Sequence, residues 1–211
     1  MTALDTHRPT VTTPARRGAE ALIASGVVAL TVTLGAMTFA PRLARHGSGG
    51  YIVSGVLMTA VDLLYLAGVL GLLRSAATRR GGLRRVAAVL ALAGSAGVVI
   101  AEVLLRVSFH VGTAAFSVVG PAQALGVIGL GIAVIRTGSW SSWRRFVWLV
   151  QGAYVPLVLV PALAASGGQN LPALAGFHTL VLISGVAFAI EERRRDQDGT
   201  AGVHVTGAGV R

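Results

Sequence analysis

Six long apolar runs divide the chain: 21–40, 52–73, 86 to about 105, about 114 to 135, 146–165 and 171–190. A helix rises about 1.5 Å per residue, so roughly 20 apolar residues cross the roughly 30 Å of hydrocarbon in a bilayer. The polar connections between runs are short, which makes sequence neighbours antiparallel neighbours in space. The pattern predicts an all-α, polytopic membrane protein with six transmembrane helices in one compact bundle over residues 21–190. A disordered polar tail is expected at 1–20, and a basic, then disordered, tail at 191–211. The first run has the outline of a signal peptide, because Thr38, Phe39 and Ala40 resemble a cleavage triplet. Pro41 follows directly and the run is long enough to span, so it is expected to stay as the first helix.

Composition supports lipid as the solvent. The 211 residues are 54% hydrophobic and only 12% charged, against about 25% charged in an ordinary soluble domain. The net charge of +10 would suggest nucleic acid in a soluble protein, but its placement points elsewhere. If the N-terminus is inside, 15 of the 18 arginines fall in cytoplasmic segments, leaving Arg42, Arg45 and Arg106 on the outer side. Under the positive-inside rule both termini are cytoplasmic, and the basic clusters set topology rather than bind nucleic acid. Trp140, Trp143 and Tyr51 sit at run ends, where amphipathic rings anchor in the headgroups. The bilayer is therefore the one partner the sequence requires. A basic set made only of arginine, in a chain rich in Ala, Gly, Val and Leu, resembles coding in a GC-rich bacterial genome, so a bacterial cytoplasmic membrane is the expected location. The absence of cysteine excludes disulfides, thiolate metal sites and thiol catalysis.

Small residues and prolines refine the helices. Gly126, Gly129 and Gly131 superficially suggest a phosphate loop, but no strand precedes them; like Ala93 and Gly97, they read as residues that let helices approach closely. Pro121, Pro156 and Pro161 are expected to kink their helices. Residues 71–86 echo 132–147, each with an apolar end, one Arg, small polar residues and paired Arg. Positive-inside topology produces that echo without an internal repeat.

The polar groups inside the runs supply the candidate chemistry. Glu102, Arg106 and His110 follow at four-residue intervals, so in a continuous helix they form one stripe. Glu102 before Arg106 is the favourable order for a helical ion pair, and a neutralised pair is one way to end a span near the headgroups. His110 falls at a loop or interface. Asp62 lies near the midplane of the second run, with no charged partner within a turn of its own helix and Tyr65 three residues on. A charge there needs a partner from another helix, because the apolar midplane disfavours the ionised form. Gln123 and His178 fall in the outer half, where a hydrogen bond between them would suffice to explain both. Gln151 and Tyr154 lie in the inner half to the middle of the fifth run. Asp62, Tyr65, Glu102, Arg106, His110, Gln123, Gln151, Tyr154 and His178 together define a candidate solute or proton pocket. Asp62, Glu102 and His178 are the catalytic candidates if the protein is an enzyme.

No His-Glu-x-x-His, Gly-x-Ser-x-Gly or repeated acidic motif occurs, and no metal or cofactor is expected. Two main function classes follow. One is a binding or transport protein whose Asp62, Glu102 and His178 line an outward cavity and exchange protons with a small solute or coupling ion. The other is an intramembrane enzyme that uses a protonated carboxylic acid on a lipid or isoprenoid, in the manner of terpene cyclisation, with Phe39, Phe109, Phe116 and Phe177 as lining. A third class is an accessory subunit that binds another membrane protein. An aromatic content of 6% is low for a cation-stabilising pocket, which favours the first class.

Overall fold

A computed structural model of the chain describes residues 13–43, 49–78, 82–166 and 170–206. Residues 1–12 and 207–211 of the expected tails, and the outer turns expected near Gly47 and Gly167, lie outside the described residues. The elements in chain order are α1 (Pro14–Leu43), α2 (Gly49–Arg74), α3 (Gly82–Val107), α4 (Phe109–Thr137), α5 (Val147–Tyr154), α6 (Val160–Ser166) and α7 (Leu171–Thr206). Short 3₁₀ turns occupy Ala76–Thr78 and Ser142–Phe146, and a π-helical turn, Val155–Leu159, joins α5 to α6. With α5, the π turn and α6 forming one crossing, six helices of 25 to 29 residues among the described residues are long and apolar enough to cross a membrane. This fits a multi-pass membrane protein. Many large apolar side chains face outward, among them Val56, Val89, Leu125 and Leu157, as lipid permits and water does not.

Several boundaries move relative to the sequence pattern. Helix α1 begins at Pro14, taking in the last seven residues of the expected tail, because Ala15, Gly18 and Ala19 already pack within the bundle. Helix α7 continues through the run of three arginines to Thr206. Between α3 and α4 stands a single extended residue, Ser108. The apolar runs there understate both helices, because polar residues on the last and first turns remain helical.

The helices pack in sequence order: α1 on α2, α2 on α3, α3 on α4, α4 on α5, α5 on α7, and α7 back on α1, which closes a ring. Glycines set the close approaches. A Cβ on Gly18 would lie 2.5 Å from Gly71 Cα, so α1 and α2 touch backbone to backbone. Gly126 faces Ala91, Gly129 faces Ala87, Gly97 faces Val119 and Gly94 faces Gln123, zipping α3 to α4 along their length. Gly131 instead admits α5 at Trp148 and Leu149, and Gly26 and Gly185 seat α1 against α7. In lipid no hydrophobic force draws helices together, so such close van der Waals contact is the main term holding the ring. Gly97 fills the expected packing role, but Ala93 faces outward and its neighbour Gly94 takes the contact.

The prolines act differently from one another. Pro121 lies within an uninterrupted α4, whereas the crossing that holds Pro156 rearranges into the π turn, a common site of local helix adjustment. Helix α7 starts on Asn170, whose side chain accepts from the Ala173 N–H at 3.0 Å, with Pro172 in the first turn where its missing N–H does no harm. Helix α4 ends on Gly138 at φ 61°, a left-handed residue that suits glycine.

Candidate functional site

Helices α2 and α3 bring the first group of polar side chains together. Glu102 is buried and ion-paired with Arg106 one turn later. The Arg106 side chain reaches across to α2, where Gly55 makes room for it: a Cβ there would lie 2.5 Å from Nε. The guanidinium also sits over the Tyr51 ring, 4.6 Å from its centroid. Tyr51, expected as an interfacial anchor, thus also stacks on a half-buried charge, and its hydroxyl contacts the Leu105 carbonyl at 3.4 Å. Neither Tyr51 nor Gly55 is flagged as a site residue by the sequence, because each matters only through a partner on another helix.

Asp62 lies on α2, half-buried, and close enough to Glu102 for the two carboxyl groups to interact across the α2–α3 contact. It makes no hydrogen bond among the described residues. One turn further along, the buried Tyr65 hydroxyl accepts from Gln151 Nε2 of α5 at 2.8 Å, and it also lies within electrostatic reach of Asp62. Gln151 is fully buried, and its Oε1 has no partner among the described residues. A polar line therefore runs Arg106, Glu102, Asp62, Tyr65, Gln151 through three helices. Beside it, Tyr65, Gln123, Val127, Gly152 and Phe177 line a small void with room for about one water.

The other candidates separate from this line. The expected stripe breaks at Ser108: α3 stops at Val107, and His110 belongs to the first turn of α4, exposed and edge-on to Phe109 at 6.2 Å. Gln123 does not pair with His178 but donates to Ser95 on α3 at 3.2 Å. His178 is buried against the Phe177 ring at 5.7 Å and makes no hydrogen bond among the described residues. Tyr154 donates to the Ala173 carbonyl at 3.0 Å and lies over Gly176, which makes it a tie between the fifth and sixth crossings.

A second polar cluster, at the opposite end of the bundle, escaped the sequence reading. Glu191 of α7 is buried; it binds Arg144 at 2.7 Å and accepts from the Ser141 N–H and hydroxyl at 3.1 and 3.2 Å. Arg194 also reaches Ser141, and Arg195 pairs with Glu192. Trp140, expected as a headgroup anchor, is instead core and stacks on Phe188 at 5.8 Å, while Trp143 is exposed. The paired acids before three arginines were the available signal, masked by reading that run as topology alone. The arrangement fastens the α4–α5 connection to α7. Among the described residues no group of three His, Asp or Glu side chains converges in a way that could hold a metal.

On the outside of the bundle, α2 and α3 diverge into a groove of about 760 Å³, within the range of ligand sites. Its walls include Ile52, Val56, Leu63 and Val103, and Arg106 and Tyr51 close its end. No protein-family model matches the chain, and neither the curated proteins nor the solved structures contain a significant match.

Proposed function

We propose that the protein is a multi-pass protein of a bacterial cytoplasmic membrane, with both termini in the cytoplasm, that binds a small solute or passes a proton at the polar line that enters its bundle from the outer half. Asp62 is the group that exchanges the proton. The observation that carries this reading is the position of Asp62: an acid without a hydrogen bond among the described residues, between a neutralised Glu102–Arg106 pair and the buried Tyr65–Gln151 bond. Membrane acids that are neither structural pairs nor lipid-facing mark sites where protons or ions are handled. Glu102 has its cation one turn away, so Asp62 is the carboxyl left for exchange.

A lipid- or isoprenoid-modifying enzyme is supported by the sideways opening between α2 and α3. Asp62 is absent from the walls of that opening, which favours the solute or proton reading. Proteoliposomes carrying a trapped pH dye and an imposed pH gradient test it. Wild-type protein is expected to speed dissipation of the gradient, and Asp62→Asn to return it to the rate of empty vesicles. Equal rates for wild type and Asp62→Asn would overturn the assignment.

A further inference from the structure

We infer that the groove between α2 and α3 is a binding site for one anionic phospholipid, its phosphate on Arg106 and an acyl chain along α2. Three observations carry it. The groove runs from Tyr51 to Leu63, about 18 Å of helix, which matches one leaflet of a hydrocarbon core roughly 30 Å thick. Its walls are apolar, and Ile52, Val56 and Leu63 are more than half exposed, so the groove opens toward lipid rather than into the ring. Arg106 is the one charged side chain among its lining residues, and it stands at the headgroup end in the last turn of α3.

The chemistry of that end favours a phosphate. Glu102 engages one terminal nitrogen of Arg106 from behind and is itself almost covered, so the acid does not line the groove. A guanidinium has five N–H donors in a planar fork, and the remaining terminal nitrogen suits a phosphate oxygen. Tyr51, stacked on the guanidinium, holds the fork at this end. A second copy of the chain fits less well, because a two-fold contact through this groove presents to Arg106 only the same lining, which contains no acid to accept from it.

The site rests on the same ion pair as the proposed function but not on Asp62, so the two can fail separately. The test is native mass spectrometry of the protein extracted from vesicles of equal parts phosphatidylglycerol and phosphatidylcholine. One retained phosphatidylglycerol per protein is expected. Ala60→Trp fills the groove without touching the ion pair, and Glu102→Gln combined with Arg106→Gln removes the charge without leaving a lone ion. Each is expected to lower retention at least tenfold, while Asp62→Asn leaves it unchanged. Unchanged retention in Ala60→Trp, equal retention of phosphatidylcholine, a protein dimer in place of the lipid adduct, or displacement of the lipid by inorganic phosphate alone would each overturn the inference.

Discussion

Removing either Glu102 or Arg106 strands a charge in apolar surroundings, whereas removing both leaves only a gap in the packing. Each single substitution, Glu102→Gln or Arg106→Gln, is expected to destabilise by about 3 kcal/mol, and the double substitution by clearly less. Thermal unfolding of the four proteins in one detergent measures the coupling, and additive losses would contradict the pairing. A similar contrast holds at the other end of the molecule. Glu191→Gln removes the charge from a buried ion pair with Arg144 while keeping an oxygen that accepts from Ser141, with an expected loss of about 3 kcal/mol. Glu20→Gln breaks an exposed pair with Arg16, with an expected loss of about 0 to 1 kcal/mol. Equal losses for Glu191→Gln and Glu20→Gln in the same unfolding assay would contradict the difference. The Glu102–Arg106 pair was legible in the sequence, because four-residue spacing on one helix brings the two groups together. The Glu191–Arg144 contact was not, because it joins residues on different elements and no local rule reports such a meeting.

The helices were legible for a physical reason of the same kind. A span needs a fixed length of apolar residues whatever its neighbours do, so 52–73 and 86–105 fall inside α2 and α3. Helix ends depend on caps and contacts, which is why α1 starts at Pro14 and why Ser108 interrupts the stripe that His110 was expected to complete. The α3–α4 pair makes the role of glycine testable. Gly126→Val drives a side chain into the Ala91 backbone, and an overpacked contact of this kind costs about 1 to 3 kcal/mol. Gly120→Ala on the same helix meets nothing within 4 Å and is expected to be neutral or slightly stabilising, since alanine favours the helix. Melting temperatures that fall equally for Gly126→Val and Gly120→Ala would contradict glycine-set packing.

For the molecule as a whole, the ring order α1, α2, α3, α4, α5, α7 places Asp62 and Tyr65 of α2 next to Glu102 of α3 and opposite Gln151 of α5. That convergence across helices could not be read from the sequence, which gave the depth of each residue but not the direction it faces. Arginine placement predicts that both termini are cytoplasmic, so a reporter that needs the periplasm is expected to stay silent at either end and to work near Gly47 or Gly167. Activity at a terminus would contradict the orientation and, with it, the outward placement of the polar line. The account stands most directly on Asp62 as the acid that gains and loses a proton inside the bundle. Infrared spectroscopy of the reconstituted protein across a pH series reads this as a carboxylic-acid carbonyl band that comes and goes with bulk pH. The band is expected in wild type, to persist in the double variant Glu102→Gln with Arg106→Gln, and to vanish in Asp62→Asn; a band unchanged in Asp62→Asn, or lost with Glu102, would contradict the account.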